Sequence, residues 1–366
     1  MQQVRIGVVG AGVIGATHSA VLQQIAGSLP GQVELVAVAD PNPAHLDFFK
    51  SVYGYKQTFA SAPELLANAD INAVFVCTPT CYHAEVVHAA AERRLSIFCE
   101  KPLAMDVAQA AAMVQATEQA RVATQIGLVL RFSAVFTVLR DLLRDPRAGR
   151  PMAVVFRDDQ VFPIRGVHDS AWRADRTQTA GGTLIEHGVH DLDLLTWLFG
   201  PVQRLRAWER NLAGHPGVED YVAVELELAA GLRAQLVNVW HNMIQRPSNR
   251  RLEIFCDNAF LATEADMSGS ITAQFGDGPE EVISESDVLR RFLASQSNAP
   301  HALHDVYGVA YLVQDLAFVQ ALLSGAPPAP SMRVGLDAQR LAAAVYHSAR
   351  NNVEVEVGDL SSPATG

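Results

Sequence analysis

No apolar run in the sequence approaches the length of a membrane-spanning helix. There is no run of basic residues either, and the formal net charge is −11. An acidic chain of this kind argues against nucleic acid or an anionic membrane surface as the main partner. Cysteine is scarce: Cys77, Cys81, Cys99 and Cys256, three of them in or beside apolar, strand-like segments. They read as buried thiols of a reducing compartment. Cys77 and Cys81 stand four apart, but no second pair of zinc-ligand spacing follows, so no metal is expected. The first apolar segment begins at Val4, with no charged leader, apolar stretch or cleavage site before it, so a cytoplasmic location is expected. What is present is 366 residues, 49% hydrophobic and 18% charged, a composition that reads as globular and a length that suggests two domains.

The first part of the chain alternates strand and helix signals. Short apolar runs at Val4–Val9, Val33–Ala39, Ala73–Cys77, Ser96–Glu100 and Thr124–Leu130 read as buried strands. Helix signals lie between them, at Val13 to about Ala26, Ala44–Val52, Phe59–Ala67, Ala84–Arg93 and Val107–Arg121. That alternation predicts an α/β unit with a doubly wound parallel sheet. The character changes near Arg131. Longer alternating runs follow at Ala153–Arg157, Gln203–Glu209, Asp220–Leu228, Arg233–Trp240 and Arg251–Cys256, and they predict a large, mainly antiparallel open sheet. A helix at Asp191–Leu198 is expected to cover one face. Residues 264–288 read as a hairpin region, Ala299–Leu323 as one or two helices, Leu336–Arg350 as a helix and Val353–Val357 as a last strand. The expected domains are therefore 1–127 and 128–366.

Gly10-Ala-Gly12-Val13-Ile14-Gly15 matches G-x-G-x-x-G. The match gains weight because it follows a predicted strand and opens a predicted helix. The first glycine permits the tight turn, the second lets a pyrophosphate reach the backbone, and the third lets helix and strand pack closely. The pyrophosphate would sit on the helix N-terminus, among its free amides. Asp40 ends the second strand, where an acidic side chain hydrogen-bonds ribose hydroxyls and repels a 2′-phosphate. Pro41-Asn42 offers no cation to bind such a phosphate, so NAD is expected rather than NADP. A turn-forming role before proline is the alternative for Asp40. Thr78 and Pro79, with His83, follow the strand ending at Cys77 and would line the same edge, although His83 reads equally as an ordinary helix start.

Glu100-Lys101-Pro102 also falls at a strand end. A lysine beside a nicotinamide stabilises the alkoxide that develops as an alcohol is oxidised. Glu100 would fix that lysine or touch the cofactor ribose. Further on, Gly181-Gly-Thr-Leu-Ile-Glu186-His-Gly-Val-His190-Asp-Leu-Asp193 places a carboxylate and an imidazole four apart, on one helical face. His190 suits a general base working near neutral pH. Glu186 would orient it or hold a neighbouring substrate hydroxyl, and Asp193 would support the helix. His187 and Asp191 point away from that face.

These pieces together resemble the glucose–fructose oxidoreductase / inositol dehydrogenase / MocA family over most of the chain. The resemblance implies an N-terminal Rossmann domain and a C-terminal α/β domain on an open antiparallel sheet. The sheet's exposed face would then make a homo-dimer or homo-tetramer. It further implies oxidation or reduction of a secondary alcohol of a sugar, inositol or sugar nucleotide, with Lys101 as the catalytic lysine and His190 as the acid/base. One departure is visible: the family usually has aspartate where this chain has Glu186.

On the substrate side the irregular stretch Arg157–Asp175 carries Arg165, His168, Trp172 and Arg173. Polyols need several hydrogen bonds, and an indole face suits the CH surface of a sugar ring. An arm onto a neighbouring subunit is the alternative reading. Two further functional readings stand beside the dehydrogenase: a redox-neutral enzyme that recycles tightly held NAD(H), and a non-catalytic NAD-binding sensor.

Overall fold

The computed structural model describes residues 3–164, 170–265, 267–296 and 309–358. Arg165 and His168 lie outside the described residues, as does the start of the expected helix at 299. The chain divides into two compact units.

The first unit takes in Met1–Leu128, Thr177–Ala180 and Tyr311–Gln339. The single break expected at 127/128 therefore marks where the sequence pattern changes, not the full membership of the unit. Its strands are β1 (Val4–Val9), β2 (Val33–Ala39), β3 (Gln57–Phe59), β4 (Ala73–Val76), β5 (Ser96–Cys99) and β6 (Thr124–Ile126). They form one parallel sheet in the order β3-β2-β1-β4-β5-β6. Helices α1 (Val13–Ser28), α2 (Pro43–Tyr53), α3 (Ala62–Asn68), α4 (His83–Glu92) and α5 (Val107–Ala120) connect them. Every residue of β4 and β5 is buried, as expected for strands covered on both faces. Local chemistry sets the helix starts. Asn42, Ser61 and Asp106 each accept a backbone N–H of the first turn of α2, α3 and α5.

Two expectations in this unit need correction. The Phe59–Ala67 segment is not one helix: β3 ends at Phe59, and Ser61 caps α3 two residues later. The strand expected to run to Leu130 ends at Ile126, and Val129–Phe132 forms a 3₁₀ turn. Its residues are apolar because they are buried, not because they are extended.

The second unit takes in Val129–Arg176, Gly181–Ala310 and Arg340–Gly366. It is built on β7 (Pro151–Val161), β8 (Val202–Arg210), β9 (Tyr221–Leu228), β10 (Arg233–His241), β11 (Asn249–Cys256), β12 (Ala259–Glu264), β13 (Ile271–Phe275), β14 (Glu281–Ile283) and β15 (Val355–Glu356). The sheet order is β14-β13-β12-β11-β7-β10-β9-β8-β15. All neighbours are antiparallel except the central pair, where Ala153–Val161 runs parallel to Arg233–His241. The chain leaves β7, passes through α7 (Val189–Phe199), and returns by the β8–β9–β10 meander in the direction of β7. Two helices were not expected, α6 (Ala134–Leu143) and α8 (Glu285–Ser295). The remaining helices are α9 (Val309–Ser324) and α10 (Met332–Asn351), whose first residues complete the first unit. Among the described residues no helix is long and apolar enough to cross a membrane.

Candidate active site

In the first unit the C-terminal ends of β1, β2, β4 and β5 carry the expected cofactor residues. Gly10 has φ +99°, and a Cβ there would lie 2.6 Å from the Cys77 carbonyl oxygen. A Cβ on Gly15 would collide with the Gly10 carbonyl oxygen, whereas Gly12 faces open space. Gly10 and Gly15 thus serve the turn and the helix packing, and Gly12 leaves room for a ligand. Helix α1 has no side-chain cap, unlike α2, α3 and α5, and no acidic residue in its first turn. The amides of Val13 and Ile14 in that turn have no intrahelical acceptor. Thr78 adds a buried hydroxyl with no hydrogen-bond partner among the described residues. An open approach, an uncapped helix start and an orphaned hydroxyl at the β1/β4 switch point fit a dinucleotide.

Asp40 is more constrained than the sequence suggests. Its Oδ2 accepts the Ala11 N–H at 2.8 Å and its Oδ1 accepts the Asn42 N–H at 2.8 Å, with His45 Nδ1 at 3.3 Å. It ties the glycine-rich turn to the end of β2. A carboxylate has about four lone-pair directions, so acceptor capacity remains.

His83 and Glu100 both turn away from the open edge of the sheet into the interior. His83 is 1% exposed. Its Nδ1 lies 3.0 Å from the Pro102 carbonyl and its Nε2 lies 2.9 Å from the Thr78 carbonyl. Burial holds its pKa below the ordinary histidine value, against the pull of those carbonyls and the Glu100 charge. The ring thus sits between the loop after β4 and the loop after β5, with a carbonyl oxygen against each nitrogen. The Glu100 carboxylate turns into the interior: Oε1 is 3.1 Å from His18 Nε2, and Oε2 accepts the Lys101 N–H at 3.2 Å. Lys101 itself is half-buried and directly follows β5 and Glu100.

In the second unit a π-helical turn, Leu184–Gly188, carries Glu186 and runs straight into α7 with His190. The expected α-helical spacing of the two residues is therefore modified by a wider turn, a feature common at functional sites. Glu186 is 1% exposed, and Arg173 Nε donates to its Oε2 at 3.2 Å. The Arg173 guanidinium also lies 4.6 Å from the Trp172 ring centre. The structure thus brings Glu186, Arg173 and Trp172 together. Asp193 supports α7, as expected, through a two-pronged ion pair with Arg131 at 2.6 and 2.8 Å. Burial raises the Asp193 pKa and Arg131 opposes that rise.

Residues that sequence reasoning missed hold this segment from the sheet side. Asp191 Oδ2 accepts from Asn238 Nδ2 at 2.7 Å, and its Oδ1 accepts from Arg250 Nε at 2.7 Å. Arg250 also reaches Asp158 at 3.5 Å. Glu219 accepts the N–H groups of Gly182 at 2.8 Å and Leu184 at 3.0 Å, together with the Tyr346 hydroxyl at 2.9 Å. Burial pushes the Glu219 carboxyl up to about 7, against the pull of those donors. A signal was available: Arg250 stands at an inward position of a strand whose other inward residues, Leu252, Ile254 and Cys256, are apolar.

A parallel sheet of this order, with its open glycine turn at the switch point, defines a dinucleotide-binding protein of the Rossmann class. Residues 4–128 match the model described as "Oxidoreductase family, NAD-binding Rossmann fold", and residues 136–262 match the GFO/IDH/MocA C-terminal domain. The chain belongs to the GFO/IDH/MocA oxidoreductase family, and its cofactor is NAD. It is 28% identical over 365 residues to an inositol 2-dehydrogenase of Rhizobium meliloti (strain 1021), covering 97% of this chain and 99% of that protein. Levoglucosan dehydrogenase solved with NADH and levoglucosan shares the fold at TM-score 0.85 and 20% identity, over 98% of this chain and 100% of the other. An oxidoreductase domain protein from Kribbella flavida does so at TM-score 0.84 and 24% identity, over 98% and 100%.

Proposed function

We propose that the protein is an NAD-dependent dehydrogenase of a secondary alcohol on a sugar, inositol or glycoside. The observation that carries this reading is Lys101, held directly after β5 on the sheet edge where the dinucleotide features converge. The family's inositol dehydrogenase relative points to the same substrate class. NAD, when bound, supplies the acceptor for the hydride. The Gly10–Gly15 turn and the first-turn amides of α1 hold its pyrophosphate, Asp40 its ribose hydroxyls, and Thr78 and Pro79 line its path. Asp40 selects NAD over NADP by repelling a 2′-phosphate. His83 and Glu100 position the loops rather than touch the cofactor.

His190 takes the hydroxyl proton as the carbon loses hydride, and the Lys101 ammonium stabilises the oxygen while it carries charge. The alcohol thereby becomes a ketone, losing two electrons and one proton as hydride and the second proton to the imidazole. Glu186 and Arg173 hold neighbouring hydroxyls, with Trp172 against the ring. The reaction runs in the cytoplasm, which suits cysteines that form no disulfide. The outer face of the second sheet, with Val155, Trp208 and Phe255 exposed, forms a homo-dimer or homo-tetramer contact.

The test is NADH formation at 340 nm across inositols, aldoses, anhydrosugars, uronates and glycosides. His190→Ala should cut turnover at least about a hundredfold while leaving NAD binding unchanged. An unchanged turnover number removes His190 from the mechanism. Absence of turnover across the panel overturns the dehydrogenase reading for these substrates.

A further inference from the structure

The interior of the first unit holds a cluster of ionisable groups that the reaction above does not use. His18, on α1, is fully buried between two carboxylates. Its Nδ1 is 2.8 Å from Oδ2 of Asp315 on α9, and its Nε2 is 3.1 Å from Oε1 of Glu100. The rings of Phe98, Phe75 and Tyr311 box the imidazole at 5.0, 5.4 and 5.8 Å between centres. Gln314 donates to the other Asp315 oxygen at 3.4 Å. Burial alone would pull the His18 pKa down, but the Asp315 and Glu100 charges overcome it and push it up to about 10. The ring is therefore an imidazolium that donates to both carboxylates.

We propose that His18 and Asp315 are positioning residues for Lys101, acting through the Glu100 carboxylate. The chain of contacts is continuous: Asp315 to His18, His18 to Glu100 Oε1, and Glu100 Oε2 to the Lys101 backbone N–H. Gly127 makes room for it, since a Cβ there would collide with Glu100 Oε1. The following residues are pinned as well, because the His83 ring lies against the Pro102 and Leu103 carbonyls. Lys101 is thus bracketed on both sides. Stability does not account for the cluster: apolar residues of the same volume would serve a core equally well or better. What three buried charges add is direction. They set the path of the chain at the lysine, and they link that path to α1, the helix that opens on the glycine turn.

The proposal rests on the role of Lys101 given above, so its test reads Lys101 without relying on turnover. Lysine occurs only at 50, 56 and 101. Reductive ¹³C-methylation therefore yields three dimethyl-lysine resonances, assigned by lysine-to-arginine variants, beside that of the N-terminus. Asp315→Asn and His18→Gln should shift the Lys101 resonance and leave those of Lys50 and Lys56 in place. Gly127→Ala displaces Glu100 from its other side without removing a charge and should move the same resonance, which covers the case where one variant does not fold. On a substrate found in the panel, Asp315→Asn should lower kcat at least about tenfold and change NAD affinity little. A Lys101 resonance unmoved in the folded variants overturns the proposal, and so does a moved resonance with unchanged kcat. If no substrate is found, the functional reading fails separately and the resonance alone decides.

Discussion

Replacing Arg250 by methionine keeps most of the apolar stem and removes the cation. Arg250 is 4% exposed, and Asp158 and Asp191 are fully buried. The guanidinium lies 2.7 Å from one carboxylate and 3.5 Å from the other. After the substitution Asn238 still donates to Asp191 at 2.7 Å, and Gln160 still donates to Asp158 at 2.5 Å. Amide donors do not balance two buried negative charges, so the loss should be about 3–5 kcal/mol. That is a large part of the roughly 5–15 kcal/mol that holds a domain together. All four tryptophans, Trp172, Trp197, Trp208 and Trp240, lie in the second unit. Guanidinium unfolding followed by tryptophan fluorescence thus reports on the unit that holds Arg250. A second substitution, Asp158→Asn or Asp191→Asn, should recover part of the loss. A deficit below about 1 kcal/mol at neutral pH, the size of an exposed pair, would refute this account of the network.

Asp40→Ala should weaken NAD binding and narrow the preference over NADP; nucleotide titration checks this, and an unchanged preference removes Asp40 from the selection. Thr78→Val replaces a hydroxyl that has no partner among the described residues, so it should leave the melting temperature of the ligand-free protein unchanged or raised while weakening NAD binding several-fold. A lower melting temperature with normal binding would contradict it. Glu219 has a folded pKa of about 7, above its unfolded value, so its contribution is fully present at low pH. As pH rises through the unfolded range towards 7, that contribution is lost, by up to about 3 kcal/mol. Glu219→Gln should remove this slope, and a stability difference from wild type that is the same at pH 5 and pH 8 would disprove it.

Much of the fold was legible because local and tertiary preferences agree. The strands of the first sheet are apolar on both faces, and those of the second alternate. The glycine turn and Asp40 fall where the spacing put them. Other features were not legible. The parallel central pair depends on where the β8–β9–β10 meander docks, which no short window records. The 3₁₀ turn at Val129–Phe132 is apolar because it is buried, so it mimics a strand. At the candidate site, motif spacing identified Glu100 and His83 but not their directions. Each turns inward because a partner far along the chain, His18 or Pro102, faces it there. His18, Asp315 and Glu219 carry no motif at all, and only their burial reveals them.

The contribution of residues 311–339 to the first unit bears on how the protein is made. A ribosome finishes the six strands of the nucleotide-binding sheet long before α9 emerges. Until then His18 has no Asp315, Phe75 and Phe98 lack the edge-on ring of Phe318, and the Ile126 N–H has no Pro330 carbonyl. The nascent unit must wait, incomplete, while strands β7 to β14 of the second sheet are synthesised. An excised 1–128 fragment would remain in that waiting state, so a minimal nucleotide-binding module cut from this chain needs the 311–339 segment grafted back onto it.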